Sequence, residues 1–223
     1  MLPRYCFLLM PLAFALSSPA WGEDPCEQLP KPAVVLQRIN QPLVFNFDYG
    51  YQSLNNIGQA IAGQKRQILG LTVANAAVTF SIGSSSYIDR SGRYECISPQ
   101  IKVLYGFNPI TVFVAKEFPQ GSCAHQQIYE HEMRHVQAYQ SHLDSVEKNI
   151  TEALNARFAT GQVWRGLAGE QMPRLQRELD TRWLPAIQRQ IREVEAQQQL
   201  IDTPEEYERV ANSCNGEIKQ RIR

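Results

Sequence analysis

The residues best able to do chemistry lie together. His131-Glu132-Met133-Arg134-His135 sets two histidines four positions apart, with a glutamate beside the first. On a helix, residues at i and i+4 stand one turn apart on one face. Two imidazoles so placed can meet one zinc ion, which takes nitrogen ligands at about 2.0–2.1 Å. Glu132 then projects beside the ion, where it can take a proton from bound water as that water attacks a carbonyl. The pattern fixes only three positions, so a solvated helix face that carries two histidines by chance is the competing reading. Clustering weighs against it, because all four histidines of the chain (His125, His131, His135 and His142) fall between 125 and 142.

This chemistry needs a helix, and the flanking sequence supplies one. Ser122 is an N-cap candidate after the break Pro119-Gln-Gly-Ser122. Val136, Tyr139, Leu143, Val146, Ile150 and Leu154 then recur at helical spacing, with no Gly or Pro from Ala124 to Phe158. Glu132 falls in the middle of this apolar stripe and the two motif histidines on one flank. A glutamate facing a core needs a partner or a function.

Upstream, alternating or β-branched runs predict strands over 42–51, 71–82, 93–97, 100–105 and 110–118. Turns are expected at Gly83-Ser-Ser-Ser86 and at Gly106-Phe-Asn-Pro109, and a short helix within 54–69. The proline-bearing stretch 23–41 reads as an extended lead-in. The strand over 110–118, if it lies at a sheet edge above the motif helix, could hold a substrate chain by strand addition. Downstream, Gly161 ends the first helix. A second carries Leu175, Leu179, Trp183, Ile187, Ile191 and Val194, with Pro185 expected to kink or split it. Thr203-Pro-Glu-Glu206 marks the start of a last helix running toward Ile218. The expected fold class is α+β: a small, mostly antiparallel sheet over about 42–118, then a long motif helix and an antiparallel helical hairpin within 123–223. Together they form one domain over 23–223.

A catalytic zinc takes three protein ligands and keeps a position for water. His142 is on the right flank, but seven residues past His135 is about 10.5 Å along a helix, too far to share an ion. His125 points elsewhere. If the second helix folds back with the turn centred between 161 and 165, positions 131–135 oppose 187–199. Of the two carboxylates there, Glu195 borders the apolar face and Glu193 points away, so Glu195 is the expected third ligand. The same register sets Asp180 near His142. Glu147 lies in the apolar stripe, about 18 Å along the helix from the site, without an assigned role.

Composition bounds the partners. The chain has 223 residues, enough for a sizeable core, and a formal net charge of zero, which argues against a broad basic footprint for nucleic acid. Residues 1–22 read as a secretory signal peptide: Arg4, an apolar run over 5–16, then small residues at the cleavage site. That run is too short to span a membrane comfortably, so no stable span is expected after cleavage. Cys6 would leave with it. Cys26, Cys96, Cys123 and Cys214 remain, and an even number in an exported chain suggests two disulfides in any of three pairings.

Over Ser122-Cys-Ala-His125 and Tyr129-Glu-His-Glu-Met-Arg-His-Val-Gln137 the chain resembles the zincin metallopeptidases. More narrowly, it is similar to a group of exported bacterial proteins described as zinc-dependent proteases of unknown function. The resemblance covers roughly 110–140. It implies zinc on His131 and His135, with Glu132 as general base. The chain lacks the Gly and third His that follow the motif in metzincins, and the downstream N-E-x-x-x-D of thermolysin-like enzymes.

The expectation is therefore a periplasmic or secreted zinc-dependent peptidase acting on a peptide or protein substrate. A non-catalytic metal-binding or scaffold module, using the helical hairpin to bind a partner protein, is the alternative. Amide hydrolysis in cell-wall peptides would use the same chemistry.

Overall fold

The computed structural model describes residues 24–62 and 67–222; the expected leader, 1–22, lies outside them. Five strands, β1 (Ala33–Arg38), β2 (Val44–Asn46), β3 (Gly70–Ile88), β4 (Tyr94–Val114) and β5 (Trp164–Leu167), form one sheet. The helices are α1 (Tyr51–Ala62), α2 (Cys123–Phe158), α3 (Gln171–Glu178), α4 (Leu184–Arg192), α5 (Glu195–Ile201), α6 (Pro204–Asn212) and α7 (Glu217–Arg221).

The α+β class holds, but the expected mostly antiparallel sheet is corrected to a mixed one. β1 and β2 run parallel to β4, while β3 and β5 run antiparallel to it. β4 is the organising strand. β3 takes one of its edges along Glu95 to Val114. A strand has two edges, so β5, β1 and β2 follow one another along the other, at Tyr94–Ile97, Gln100–Tyr105 and Thr111–Phe113. The strand expected at the edge, 110–118, is strand only to Val114, where it is the paired end of β4; residues 115–118 turn toward α2. Among the described residues no strand pairs with the outer edge of β3.

Both expected turns in this region are strand. Gly83 to Ser86 pair with Gln100 to Ile97. The hairpin turns instead at Asp89, whose carboxylate accepts from the backbone of Ser91, Arg93 and Tyr94 while Gly92 takes a positive φ. That carboxylate bonds three backbone donors at once, where serine hydroxyls hold turns more weakly. At Gly106–Pro109 the ladder slips: Ala76 faces Phe107 while Ala74 faces Ile110. The extra β4 residue forms a bulge, which absorbs a proline inside a strand. The lead-in 23–41 contains β1, so the sheet begins at 33 rather than 42.

α2 starts where the sequence predicts. Ser122 caps it, its hydroxyl accepting from the His125 N–H at 3.1 Å. Two apolar clusters press on α2. The larger joins Val103, Tyr105 and Phe107 of β4 to Val146, Ile150 and Leu154 of α2 and Ile187 and Ile191 of α4. The smaller joins Ala124 and Ile128 to Val114, Phe118, Leu54, Val210 and Ile218. The motif lies on α2 between them.

The chain then returns antiparallel to α2. Arg157 meets Glu178, His142 meets the Gln190 carbonyl, and His135 meets Gln198. These pairs all centre near residue 167, later than the expected 161–165, because β5 inserts a strand before the reversal. Asp180 is therefore not beside His142; it accepts from Gln176 at 2.9 Å. A π-helical segment at Leu179–Trp183 precedes Pro185 and divides the second helix at the expected place. Glu147 gains a structural role, since with Asp144 it holds Arg38, the last residue of β1.

Two disulfides close the fold, Cys26–Cys96 and Cys123–Cys214. Among the described residues no helix is long and apolar enough to cross a membrane.

Candidate metal centre

His131, Glu132 and His135 sit on the buried side of α2, with 7%, 3% and 7% of their surface exposed. His131 Nε2 and His135 Nε2 come within 3.3 Å of each other. Asp202 Oδ1 lies 3.1 Å from the first and 3.2 Å from the second. Among the described residues these three groups lie close enough together to hold one ion. A tetrahedral ion with bonds of about 2.0–2.1 Å separates its ligand atoms by about 3.3–3.4 Å. The observed triangle fits that spacing with almost no rearrangement, and its donors are those zinc accepts.

Asp202, not the expected Glu195, stands beside the two histidines. Glu195 opens α5, is exposed, and is not in the cluster; Glu193 is exposed as well. The later reversal moves the window facing the motif by several residues, past the end of α5. Asp202 falls in the break between α5 and α6, where Thr203 caps the new helix by accepting from the Glu206 N–H at 3.2 Å.

Three further residues orient the imidazoles. Gln198 Nε2 donates to the His135 carbonyl at 3.2 Å, so its Oε1 faces His135 Nδ1 and accepts from it. A neutral His135 held this way carries its lone pair on Nε2, the nitrogen that meets Asp202; a protonated one donates from Nε2 to Asp202. Glu206 Oε1 lies 3.2 Å from His131 Nδ1. Arg134 binds Glu206 and stands 2.9 Å from the same ring nitrogen, and Arg209 donates to Glu206 at 2.8 and 2.9 Å. With Arg209 as the largest influence, Arg134 and His131 adding to it, the Glu206 carboxyl is pulled down to about 2.

Charge at the centre follows from these contacts. Burial opposes the charged form of Asp202, but the hydrogen bonds and charges of His131 and His135 outweigh it and hold its carboxyl well below the usual range. Burial works against a charged His135, yet Asp202 and Glu132 raise its pKa. For Glu132 burial wins: its carboxyl is pushed up despite the nearby imidazoles and a 2.8 Å hydrogen bond from Thr72 Oγ1 to its Oε2.

The centre opens on a cleft of about 1010 Å³, walled by Gly70–Thr72 of β3, by α2, and by the segment from Gln198 to Tyr207. Tyr139, one turn beyond His135, lines it and packs edge-on against Phe107 at 4.6 Å. Burial pushes its phenol up to about 12, with the charges of Glu195, Glu132 and Asp202 acting the same way. Tyr207 lines the opposite wall, its ring 6.1 Å from that of His131. Tyr129 instead packs against Phe45 and His125. The remaining histidines stand apart: His125 Nδ1 contacts the Phe118 carbonyl at 3.1 Å, and His142 Nε2 donates to the Gln190 carbonyl at 2.8 Å.

Comparison with protein-family models, curated proteins and solved structures yields no match.

Sequence reasoning misses Asp202, both acceptors beside the imidazoles and the β3 wall. One signal for Asp202 is present in the chain: it directly precedes the helix-start pattern Thr203-Pro-Glu-Glu206, where a chain must turn.

Proposed function

We propose that the chain is a zinc-dependent peptidase of the zincin type in which His131, His135 and Asp202 hold the ion and Glu132 manages the proton. The carrying observation is the 3.1–3.3 Å triangle of His131 Nε2, His135 Nε2 and Asp202 Oδ1 beside a buried glutamate at an open cleft. Zinc held there supplies Lewis acidity toward a carbonyl and acidifies water. Glu132 accepts a proton as the water oxygen bonds to the carbonyl carbon. It then returns that proton to the leaving nitrogen as the carbon–nitrogen bond breaks. Tyr139, a phenol on the cleft wall, is one donor that could serve the carbonyl oxygen.

The outer edge of β3 supports a peptide as substrate. Its first residues line the cleft, and an extended chain can hydrogen-bond along an unpaired strand edge. That role passes to β3 from the strand over 110–118. Two disulfides fit a periplasmic or secreted site of action.

The tight enclosure of Glu132, 3% exposed, favours a second reading: a metal-binding module whose glutamate braces the site without turning over substrate. Glu132→Gln separates the two. In a peptidase it retains zinc and loses at least about 1000-fold in kcat. If peptides are cleaved equally by both proteins, Glu132 is no general base.

A further inference from the structure

β3 and α2 meet at Glu132 in a way that neither metal holding nor strand pairing requires. Residues 70 and 72 of a strand face the same side, and here both face Glu132. Thr72 Oγ1 lies 2.8 Å from Glu132 Oε2 and 3.2 Å from the Glu132 carbonyl oxygen. A hydroxyl has one proton to give, and the nearer carboxyl oxygen takes it. Two residues earlier, a Cβ on Gly70 would stand 2.5 Å from Glu132 Oε1, 2.7 Å from its Cγ and 2.7 Å from Ile128 Cγ2. No residue but glycine leaves room there for the carboxylate.

We infer that Gly70 and Thr72 are positioning residues that seat Glu132: Thr72 pins Oε2, and the space above Gly70 receives Oε1, leaving Oε1 as the oxygen that exchanges the proton. The inference rests on the peptidase reading and deepens it. A glutamate side chain has several rotatable bonds, and a proton acceptor works only within hydrogen-bond reach of its donor. Holding one oxygen fixes the direction of the other. The seat also makes the acid and the cleft-lining edge of β3 one rigid unit. A substrate laid along that edge would be registered against the group that serves it.

The test uses the full mature chain loaded with zinc and a mixed-sequence peptide library, with kcat and KM measured on the best-cleaved peptide. Zinc affinity is measured separately by chelator competition. Thr72→Val keeps the side chain's shape and removes its hydroxyl. It is expected to lower kcat about tenfold with KM and zinc affinity unchanged, a loss typical of one removed hydrogen bond to a charged group. Thr72→Ser restores the donor and is expected within about twofold of the parent. Gly70→Ala, which displaces the carboxylate itself, is expected to lose about 100-fold in kcat while still binding one zinc.

The inference is overturned if Thr72→Val matches the parent while Glu132→Gln is inactive, if Thr72→Ser loses as much as Thr72→Val, or if the losses fall on KM or zinc affinity. A parent chain that cleaves nothing, or a Glu132→Gln chain as fast as the parent, overturns the peptidase reading and this inference with it.

Discussion

The two walls of the metal centre are held by different means. His131, Glu132 and His135 stand on α2, which the larger apolar cluster grips through five buried residues, Leu143, Val146, Ile150, Leu154 and Phe158. Asp202, Gln198 and Glu206 come from the segment formed by α5, α6 and α7, which gives only Val210 and Ile218 to the buried part of the smaller cluster. That segment is instead tied down by polar links and by Cys123–Cys214, which joins the first residue of α2 to the turn after α6. The helical wall is built by burial. The other wall depends on a crosslink, on ion pairs around Glu206, and on the contacts of Asp202 with the two histidines.

The two disulfides sharpen this contrast. They close loops of similar size, 70 and 91 residues, so each should stabilise the fold by a comparable amount, about 4–5 kcal/mol in the chain-entropy account. Replacing Cys123 and Cys214 by serine should lower Tm and weaken zinc binding at least about tenfold, since the carboxylate wall is no longer held against α2. Replacing Cys26 and Cys96, which tie the amino-terminal segment to β4 away from the centre, should lower Tm similarly and leave zinc affinity unchanged. Equal zinc affinities for the two serine pairs would erase the distinction between the walls.

A smaller effect is expected inside the second wall. Glu206→Gln removes the charge that Arg134, Arg209 and His131 share. Zinc affinity should fall about tenfold, as for other residues that orient a ligand without touching the metal. An unchanged affinity would mean that His131 is aimed by packing alone.

The helical side offers the smallest test, through pH. Arg157 holds the Glu178 carboxyl below its usual value of 4.5, with the Trp183 indole N–H helping against burial. A depressed folded-state pKa stabilises the fold above the unfolded value and loses that contribution as pH falls through the folded one. Glu178→Gln should cost about 1 kcal/mol near neutrality and flatten the acid limb of stability below pH 4.5. Zinc affinity near neutrality should not change, because the pair lies at the far end of α2.

The same contrast explains what the sequence discloses. The motif helix is legible because its signals are local: a capping serine, an apolar stripe and no breaker over 36 residues. His131, Glu132 and His135 meet because one helix turn brings them together. Asp202 depends on a register set about 35 residues away, where β5 delays the reversal, and helix arithmetic takes no account of that strand. Gly70 and Thr72 depend on how β3 lies across α2, a packing relation with no periodicity to read. β1 hides in a proline-bearing stretch because its parallel partner, β4, lies some 60 residues on. The expected turn at Gly83 fails because glycine permits a turn without requiring one, whereas Asp89 supplies the hydrogen bonds that fix it.

The most direct measurement is the zinc content and affinity of the chain from residue 23 on beside its Asp202→Ala and Glu195→Ala variants. One ion per chain is expected, with an affinity reduced about 100-fold or more without Asp202 and unchanged without Glu195. A chain that binds no zinc, or an Asp202→Ala variant that binds it as tightly as the parent, would contradict the proposed centre.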